Sequence, residues 1–157
     1  MKSKPANELC LRNRQRTRRV SLRKLRRMVK CLLRELLVIE YFELGIYLVA
    51  APEMTRLNER FLRHAGSTDV IAFDHSDLFA GFEGVIYGEI YVCVDEALIQ
   101  SRRFRTSWQS ELARYVVHGV LHLLGYDDSK TSERRRMKRE ENRLLKALGC
   151  RCLVSLL

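Results

Sequence analysis

Residues that interrupt or cross-link a chain are scarce in this sequence. Its 157 residues include only two prolines, Pro5 and Pro52, and no stretch rich in proline or in glycine and serine. The five cysteines are an odd number, and the pair Cys150 and Cys152 lacks the two-residue spacing of redox or zinc Cys-x-x-Cys motifs. We therefore predict a single domain over residues 1–157, with its cysteines reduced as in the cytoplasm.

Long hydrophobic runs are also absent. The longest apolar stretch, residues 36–51, is interrupted by Glu40, Glu43 and Gly45, so it is too short and too charged to span a bilayer. The first ten residues, MKSKPANELC, lack the basic flank and apolar run of a secretory signal, so we expect none. We therefore expect no membrane association. Hydrophobic residues still make up 46% of the chain, which excludes global disorder.

Acidic residues are rare in the first quarter of the chain. Residues 1–36, called here the basic segment, hold 13 lysines and arginines against Glu8 and Glu35, and the net charge of the whole chain is +10. A localised positive field attracts polyanions, with nucleic acid first and an anionic membrane second. The alternative is a well-solvated helix face. The outward arginines of the basic segment are the candidate nucleic-acid contacts: Arg18, Arg19, Arg23, Arg26 and Arg27.

Hydrophobic periodicity predicts an α+β fold, a small mixed sheet of about four strands covered by helices. Ser21 is expected to cap the first helix, the pattern Thr106-x-x-Gln109 to open the fourth, and Gly125 and Gly149 to close the last two. Strands are predicted at residues 8–12, 44–51, 68–73 and 85–94, and helices at 22–36, 52–61, 95–103, 106–124 and 132–148.

One stretch, residues 118–128 (HGVLHLLGYDD), concentrates side chains that can hold a metal. His118 and His122 are four residues apart, so they lie on one helix face, and a zinc ion at about 2.0–2.1 Å from each imidazole nitrogen fits between them. Gly125 ends the helix and reverses the chain, so that Asp128 can return to the same ion. Two histidines and a carboxylate leave a coordination position open, which is typical of a catalytic zinc site. The alternative is a pair of hydrogen-bonded core histidines.

The same spacing, H-x-x-x-H-x-x-G-x-x-D, also occurs in metzincin proteases, so a zinc metallopeptidase is a rival interpretation. Such proteases place a glutamate directly after the first histidine as general base, and here that residue is Gly119. The peptidase is therefore disfavoured. His64 and His75 are interpreted as polar surface residues, with His75 as a weak second metal contact.

Residues 118–128 resemble the signature of the YbeY family of bacterial endoribonucleases, H-G-x-L-H-L-x-G-Y-D-H. The resemblance covers about residues 8 to 149. Further matches follow in the family's order: Leu57-Asn58 with Phe61, TDVIAF at 68–73 (T-D-V-L-S-F in the family), GEI at 88–90 (G-D-I), Met137 and Glu141.

The resemblance implies a zinc-dependent, single-strand-specific endoribonuclease that acts in ribosomal RNA maturation and ribosome quality control. It implies one zinc ion on His118, His122 and Asp128. Its implied partners are single-stranded ribosomal RNA and the small ribosomal subunit or its precursors. The competing hypothesis is a non-catalytic, ribosome-associated RNA-binding protein in which the metal only braces the fold.

Two positions depart from the family pattern. Asp128 stands where the family usually has a third histidine, and a carboxylate is a competent zinc ligand. Leu62 stands where the family usually has an arginine that supports catalysis. Arg63 is the candidate to supply that positive charge, with Arg60 as the alternative.

Two further roles have several candidates. Asp69 and Glu89 are the candidates for a general base. Tyr87, Tyr91 and Trp108 are candidates for stacking on unpaired bases, although core packing is the favoured interpretation of these rings.

Overall fold

The computed structural model describes residues 6–79 and 84–152, in which four strands and five α-helices follow in the predicted order, β-α-β-α-β-β-α-α-α. Lys2 and Lys4 of the basic segment, and the side chain of Cys152, lie outside the described part. The first two helices continue into π-helical turns, Cys31–Leu36 and Asn58–Leu62. The elements are β1 (Glu8–Asn13), α1 (Leu22–Lys30), β2 (Tyr41–Val49), α2 (Ala51–Leu57), β3 (Val70–Asp74), β4 (Val85–Cys93), α3 (Val94–Phe104), α4 (Trp108–Leu123) and α5 (Thr131–Cys152).

The four strands form one mixed sheet in the order β1-β2-β4-β3. β1 pairs with β2 in parallel, and β2 pairs with β4 in parallel, with Tyr41 opposite Val85. β3 runs antiparallel to β4 and occupies an edge. The predicted α+β class with a small mixed sheet is confirmed.

Side chains alternate between the two faces of this sheet, as the two-residue period of a strand requires. Leu44, Ile46 and Ile90 join the main core, to which α1, α4 and α5 also contribute buried residues. The intervening Tyr47 and Tyr91 lie on the other face, beside the smaller apolar cluster that α2 covers. One face of the sheet is therefore buried in the main core, whereas the other carries only the smaller apolar cluster.

Two glycines allow α4 to lie unusually close to the sheet. A Cβ atom at Gly119 would lie 2.7 Å from Cγ2 of Ile90. A Cβ atom at Gly88 would lie 2.4 Å from the carbonyl oxygen of Phe73 and 2.9 Å from Cδ2 of Leu123. Both distances are shorter than van der Waals contact, so these positions bring α4 and its histidines against β4.

Two of the predicted helix ends are confirmed. Ser21 caps α1, since its hydroxyl accepts a hydrogen bond from the Lys24 amide at 3.3 Å. Gly125 follows α4 with a φ of 89°, the left-handed conformation that glycine adopts without strain, and its amide donates to the His122 carbonyl.

Two other predicted ends are wrong. The cap of α4 is Ser107, whose hydroxyl accepts from the Ser110 amide, because Thr106 instead donates its hydroxyl to the buried Glu111 at 2.7 Å. Gly149 does not end α5, which runs on to Cys152. No neighbouring atom lies within 4 Å of a Cβ built at Gly149, so nothing there competes with the helix. None of the described helices is both long and apolar enough to cross a membrane.

Candidate metal centre

The last turn of α4 and the turn after it bring three ligand side chains together. His118 Nε2 and His122 Nε2 lie 3.0 Å apart. Asp128 Oδ2 lies 3.6 Å from His118 Nε2 and 3.8 Å from His122 Nε2. The chain reversal at Gly125 therefore returns the carboxylate to the histidine pair, and we call these three side chains the His–His–Asp cluster.

Hydrogen bonds on the far side of each ring determine how the imidazoles face this cluster. His122 Nδ1 lies 3.0 Å from the carbonyl oxygen of Tyr126, which can only accept, so this nitrogen carries the hydrogen. His118 Nδ1 donates in the same way to Oε2 of Glu141 at 3.0 Å. Nε2 is therefore the atom that each ring turns towards the cluster. The two Nε2 atoms lie within hydrogen-bond distance of each other, so a proton or a metal ion can bridge them.

The three distances suit a single ion. A point equidistant from the three ligand atoms lies about 2.0 Å from each, which matches zinc bonds to imidazole nitrogen and carboxylate oxygen. The Asp128 side chain is 47% exposed, so the cluster is open to a further ligand. Nitrogen donors combined with one oxygen donor fit zinc or a neighbouring transition metal.

Glu141 on α5 supports the cluster from behind His118. It is 3% exposed, and it accepts hydrogen bonds from His118, from Arg114 Nη1 and from Lys138 Nζ at 3.2 Å. Burial alone would raise the pKa of this carboxyl, but the bonds from His118 and Arg114 lower it to about 2. Burial is the largest influence on the pKa of His118 and opposes its charge, but the bond to Glu141 and the negative charges of Glu141, Asp69 and Asp128 together raise that pKa. A carboxylate behind a metal-binding histidine fixes its tautomer and orientation.

A cavity of about 260 Å³ opens beside the cluster. It lies between α4, the first turns of α5 and the residue that precedes β3. Its lining combines metal ligands with ionisable groups of both signs: Asp69, Arg114, Tyr115, His118, Asp128, Arg134, Met137, Lys138 and Glu141. We call it the metal cavity.

The structure separates the two candidates for a general base. Asp69 lines the metal cavity, and its Oδ1 accepts hydrogen bonds from the Thr68 hydroxyl and the Val70 amide. Glu89 instead accepts from the Tyr47 hydroxyl at 3.2 Å, with His75 Nε2 3.6 Å away. Only Asp69 of the two lines the metal cavity, and His75 is not part of the His–His–Asp cluster.

The arginine candidates near Leu62 lie elsewhere. Arg63 ends the turn after α2 with a φ of 56° and an exposed side chain, and the described residues that line the metal cavity do not include it. The Arg60 guanidinium stacks on the ring of Phe61, 5.3 Å from its centroid. A catalytic role for Arg63 stays a prediction.

Four of the five arginines predicted to contact RNA are exposed: Arg18, Arg19, Arg23 and Arg27. Arg26 differs, because its Nη1 donates to the carbonyl oxygen of Leu9 at 2.7 Å and so ties α1 to β1. The RNA contacts of this face stay a prediction.

The three aromatic residues proposed for base stacking already pack against other parts of the protein. Tyr91 stacks on Tyr47 with ring centroids 4.8 Å apart. Tyr87 packs edge-on against Phe79, and Trp108 packs against the main core.

Three cationic residues of the metal cavity escaped the sequence analysis: Arg114, Arg134 and Lys138. A signal for each is present in the sequence. Arg114 precedes His118 by four residues and therefore shares its helix face, and Arg134 and Lys138 share a face of α5 in the same way. What the sequence did not indicate is that α5 packs beside the cluster.

The fold and the site define a class of protein. It is an α+β domain in which a helix carries two histidines and the next turn returns a carboxylate beside an open cavity, an arrangement that could hold a metal ion. A sequence model of the family described as Endoribonuclease YbeY matches residues 10–149. The chain belongs to the YbeY family.

Individual relatives agree with this assignment. The Endoribonuclease YbeY of Chlorobium phaeovibrioides is 43% identical over 96 residues, which cover 61% of this chain and 62% of that protein. That of Salinibacter ruber is 38% identical over 109 residues, covering 67% and 69%. The chain thus spans less than two thirds of the Chlorobium relative it matches. The solution structure of TM1509 from Thermotoga maritima shares the fold, with a TM-score of 0.64, 24% identity, and coverage of 90% of this chain and 89% of that one.

Proposed function

We propose that this protein is a metal-dependent endoribonuclease that cleaves single-stranded RNA, with one zinc ion held by His118, His122 and Asp128. The observation that carries the proposal is the convergence of the two Nε2 atoms, 3.0 Å apart, with the Asp128 carboxylate, whose Oδ2 lies 3.6 Å from His118 Nε2. Membership of the YbeY family and the relatives named Endoribonuclease YbeY support RNA as the substrate.

The chemistry follows from the residues around the cluster. When bound, zinc supplies a Lewis acid for a phosphate oxygen and lowers the pKa of water. Glu141 holds the His118 ring so that its Nε2 points to the ion. The metal cavity has three carboxylates, of which Asp128 belongs to the cluster and Glu141 supports His118. The third, Asp69, accepts the proton of the attacking hydroxyl or water.

We further propose ribosomal RNA as the substrate, the small ribosomal subunit or its precursors as the partner, and the cytoplasm as the location. The basic segment, with 13 lysines and arginines, fits a polyanionic partner of this size.

The peptidase alternative is less well supported by the structure. A protease general base directly after the first histidine would occupy position 119, where a Cβ atom would already lie 2.7 Å from Ile90. The helix face that carries position 119 packs on the sheet, so no carboxylate can act from there.

Cleavage of RNA by the purified protein tests the proposed function. We expect a single-stranded ribosomal RNA fragment to be cut, the same fragment in a duplex to be spared, a chelator to stop the cleavage, and zinc to restore it. His118→Ala should be inactive, and His75→Ala, which changes a histidine outside the cluster, should cleave normally. RNA binding without any cleavage in the presence of zinc would favour the non-catalytic alternative.

Substitution of Asp69 tests the proposed general base. Asp69→Asn keeps an oxygen that can accept from Thr68 and Val70 but cannot take up a proton, so it should lower kcat while metal content stays unchanged. An unchanged kcat would exclude Asp69 as the base.

A further inference from the structure

Three cationic side chains line the metal cavity. Arg114 extends from α4 one turn before His118, and Arg134 and Lys138 extend from neighbouring turns of α5. They come from two helices and converge on the cavity that holds the cluster. None of them belongs to the basic segment.

Each of these cations donates a hydrogen bond to an oxygen atom of the site and keeps other N–H groups that can bind a ligand. Arg114 uses Nη1 for both Glu141 and Asn142, and its Nε and Nη2 have no hydrogen-bond partner among the described residues. Arg134 donates only Nε, to the carbonyl oxygen of Asp128 at 3.0 Å, which leaves both terminal nitrogens of its guanidinium. The anchors hold the groups in place and so reduce the side-chain entropy lost when a ligand binds.

The charges of the cavity favour an anion once the metal is present. Three cationic residues face three carboxylates, those of Asp69, Asp128 and Glu141, so a divalent ion leaves the lining with two net positive charges. A phosphodiester carries one negative charge, and a guanidinium with two free N–H groups can contact its oxygens in a bidentate manner.

We propose that Arg114, Arg134 and Lys138 bind the RNA phosphates next to the His–His–Asp cluster, so that the substrate strand runs along the first turns of α5. This inference rests on the proposed function, because it assigns the phosphate contacts of that site. It adds an RNA-binding surface on α5 to the surface that the sequence predicts on α1.

The same helix provides a matched control. Arg135 and Arg139 are exposed and repeat the four-residue spacing of Arg134 and Lys138, but neither lines the metal cavity. Replacing either pair with glutamine removes two positive charges from α5. The Arg134/Lys138 variant also loses the hydrogen bonds to Asp128 and Glu141, so metal content is measured beside binding.

The test measures binding of a fluorescent single-stranded RNA oligonucleotide by anisotropy at several salt concentrations, with zinc and with a chelator. Arg134→Gln/Lys138→Gln should weaken binding at least tenfold and reduce the salt slope of log K by about 1.4, since each lost phosphate contact on a single strand contributes about 0.7. Arg135→Gln/Arg139→Gln should change affinity less than threefold. Circular dichroism and metal content should match the wild type for both variants.

A third variant addresses Arg114, whose removal would also disturb Glu141. Arg114→Lys retains the charge and a donor for Glu141 but loses the planar fork, so it should weaken RNA binding severalfold with metal content unchanged. Equal losses in the two α5 double variants would show a diffuse charge effect and overturn the proposal.

Binding and cleavage separate this proposal from the proposed function. A selective loss of binding in Arg134→Gln/Lys138→Gln, seen in chelator where no cleavage occurs, supports the α5 surface even if the protein never cuts RNA. Normal zinc-dependent cleavage together with equal binding by both double variants overturns the α5 surface and leaves the proposed function intact.

Discussion

At the scale of single residues, Asp128 determines the charge of the metal centre. In the proposed zinc site, a carboxylate in place of a neutral imidazole would leave the metal with one unit less positive charge and make it a weaker Lewis acid. A hard oxygen donor also favours manganese and similar ions relative to a three-histidine site.

Asp128→Ala should therefore lose the metal and all cleavage, because only two ligands remain. Asp128→His should keep or tighten zinc binding and remain active. Elemental analysis of metal per chain, after equal dialysis of the wild type and both variants, checks this expectation. Equal metal in wild type and Asp128→Ala would exclude Asp128 as a ligand.

Glu141 is not one of the three proposed metal ligands, but its replacement should weaken metal binding. Glu141→Gln offers a single acceptor oxygen to the donors of His118, Arg114 and Lys138, so the His118 ring loses its fixed orientation. We expect zinc affinity to fall about 10–100-fold, measured by competition with a chromogenic chelator.

The neighbouring Glu140 supplies the control for Glu141. It pairs with Arg143 on the surface of α5, so Glu140→Gln should leave zinc affinity unchanged. If Glu141→Gln lowers the melting temperature of the metal-free protein but leaves zinc affinity intact, Glu141 has only a structural role.

At the scale of the elements, the contact between α4 and the sheet depends on glycine. Gly88→Ala would push a methyl group against the Phe73 carbonyl oxygen, a backbone atom that cannot rotate away. We expect a loss of about 1–3 kcal/mol in the free energy of unfolding, measured by urea denaturation in chelator.

Gly149→Ala is the matched substitution at an open helical position. Beyond the helix's own backbone and the adjacent residues, no described atom lies within 4 Å of the new methyl group, so this variant should gain up to about 1 kcal/mol through the higher helix propensity of alanine. If Gly88→Ala unfolds at the same urea midpoint as the wild type, β3 and α4 can shift to make room for the methyl group.

The elements also show what the sequence can and cannot predict. The order of strands and helices follows from local periodicity, and so does the pairing of His118 with His122 on one face. The helix cap at Ser107 was missed because Thr106 bonds to the buried Glu111, a tertiary contact. Gly125 was read correctly as a helix end because its turn conformation is local.

The α5 surface was missed for a different reason. The helix itself carries eight basic residues against three acidic ones, but a count over residues 37–157 hides this excess, because acidic residues elsewhere bring that count to 16 basic and 17 acidic residues. In the folded chain, however, Glu141 is buried and Glu140 is paired with Arg143. Arg134 and Lys138 therefore give the metal cavity a positive charge that the net charge of the sequence does not reveal.

At the scale of the whole molecule, the basic segment remains the second predicted RNA surface. Replacing Arg18, Arg19, Arg23 and Arg27 with glutamine should weaken RNA binding and reduce the salt slope of log K by about 0.7 for each lost contact. The fold should persist, because α1 packs through Leu25, Met28 and Val29, and because Arg26, which bonds to β1, is retained.

Anisotropy titrations over a range of salt concentrations check this prediction. Urea denaturation provides the control that the variant is folded. Unchanged affinity and salt slope in the quadruple variant would leave α5 as the RNA surface and the arginines of α1 as solvating charge.

The parallel centre of the sheet also has a consequence for the order in which the chain can fold. Tyr41 of β2 pairs with Val85 of β4, so the two central strands are joined only after a long crossover, and long-range pairing of this kind slows folding. During synthesis, α1 is made before β4. Until β4 joins β2, the sheet centre on which the apolar face of α1 packs is incomplete, so this cationic helix can complete its packing only late in folding.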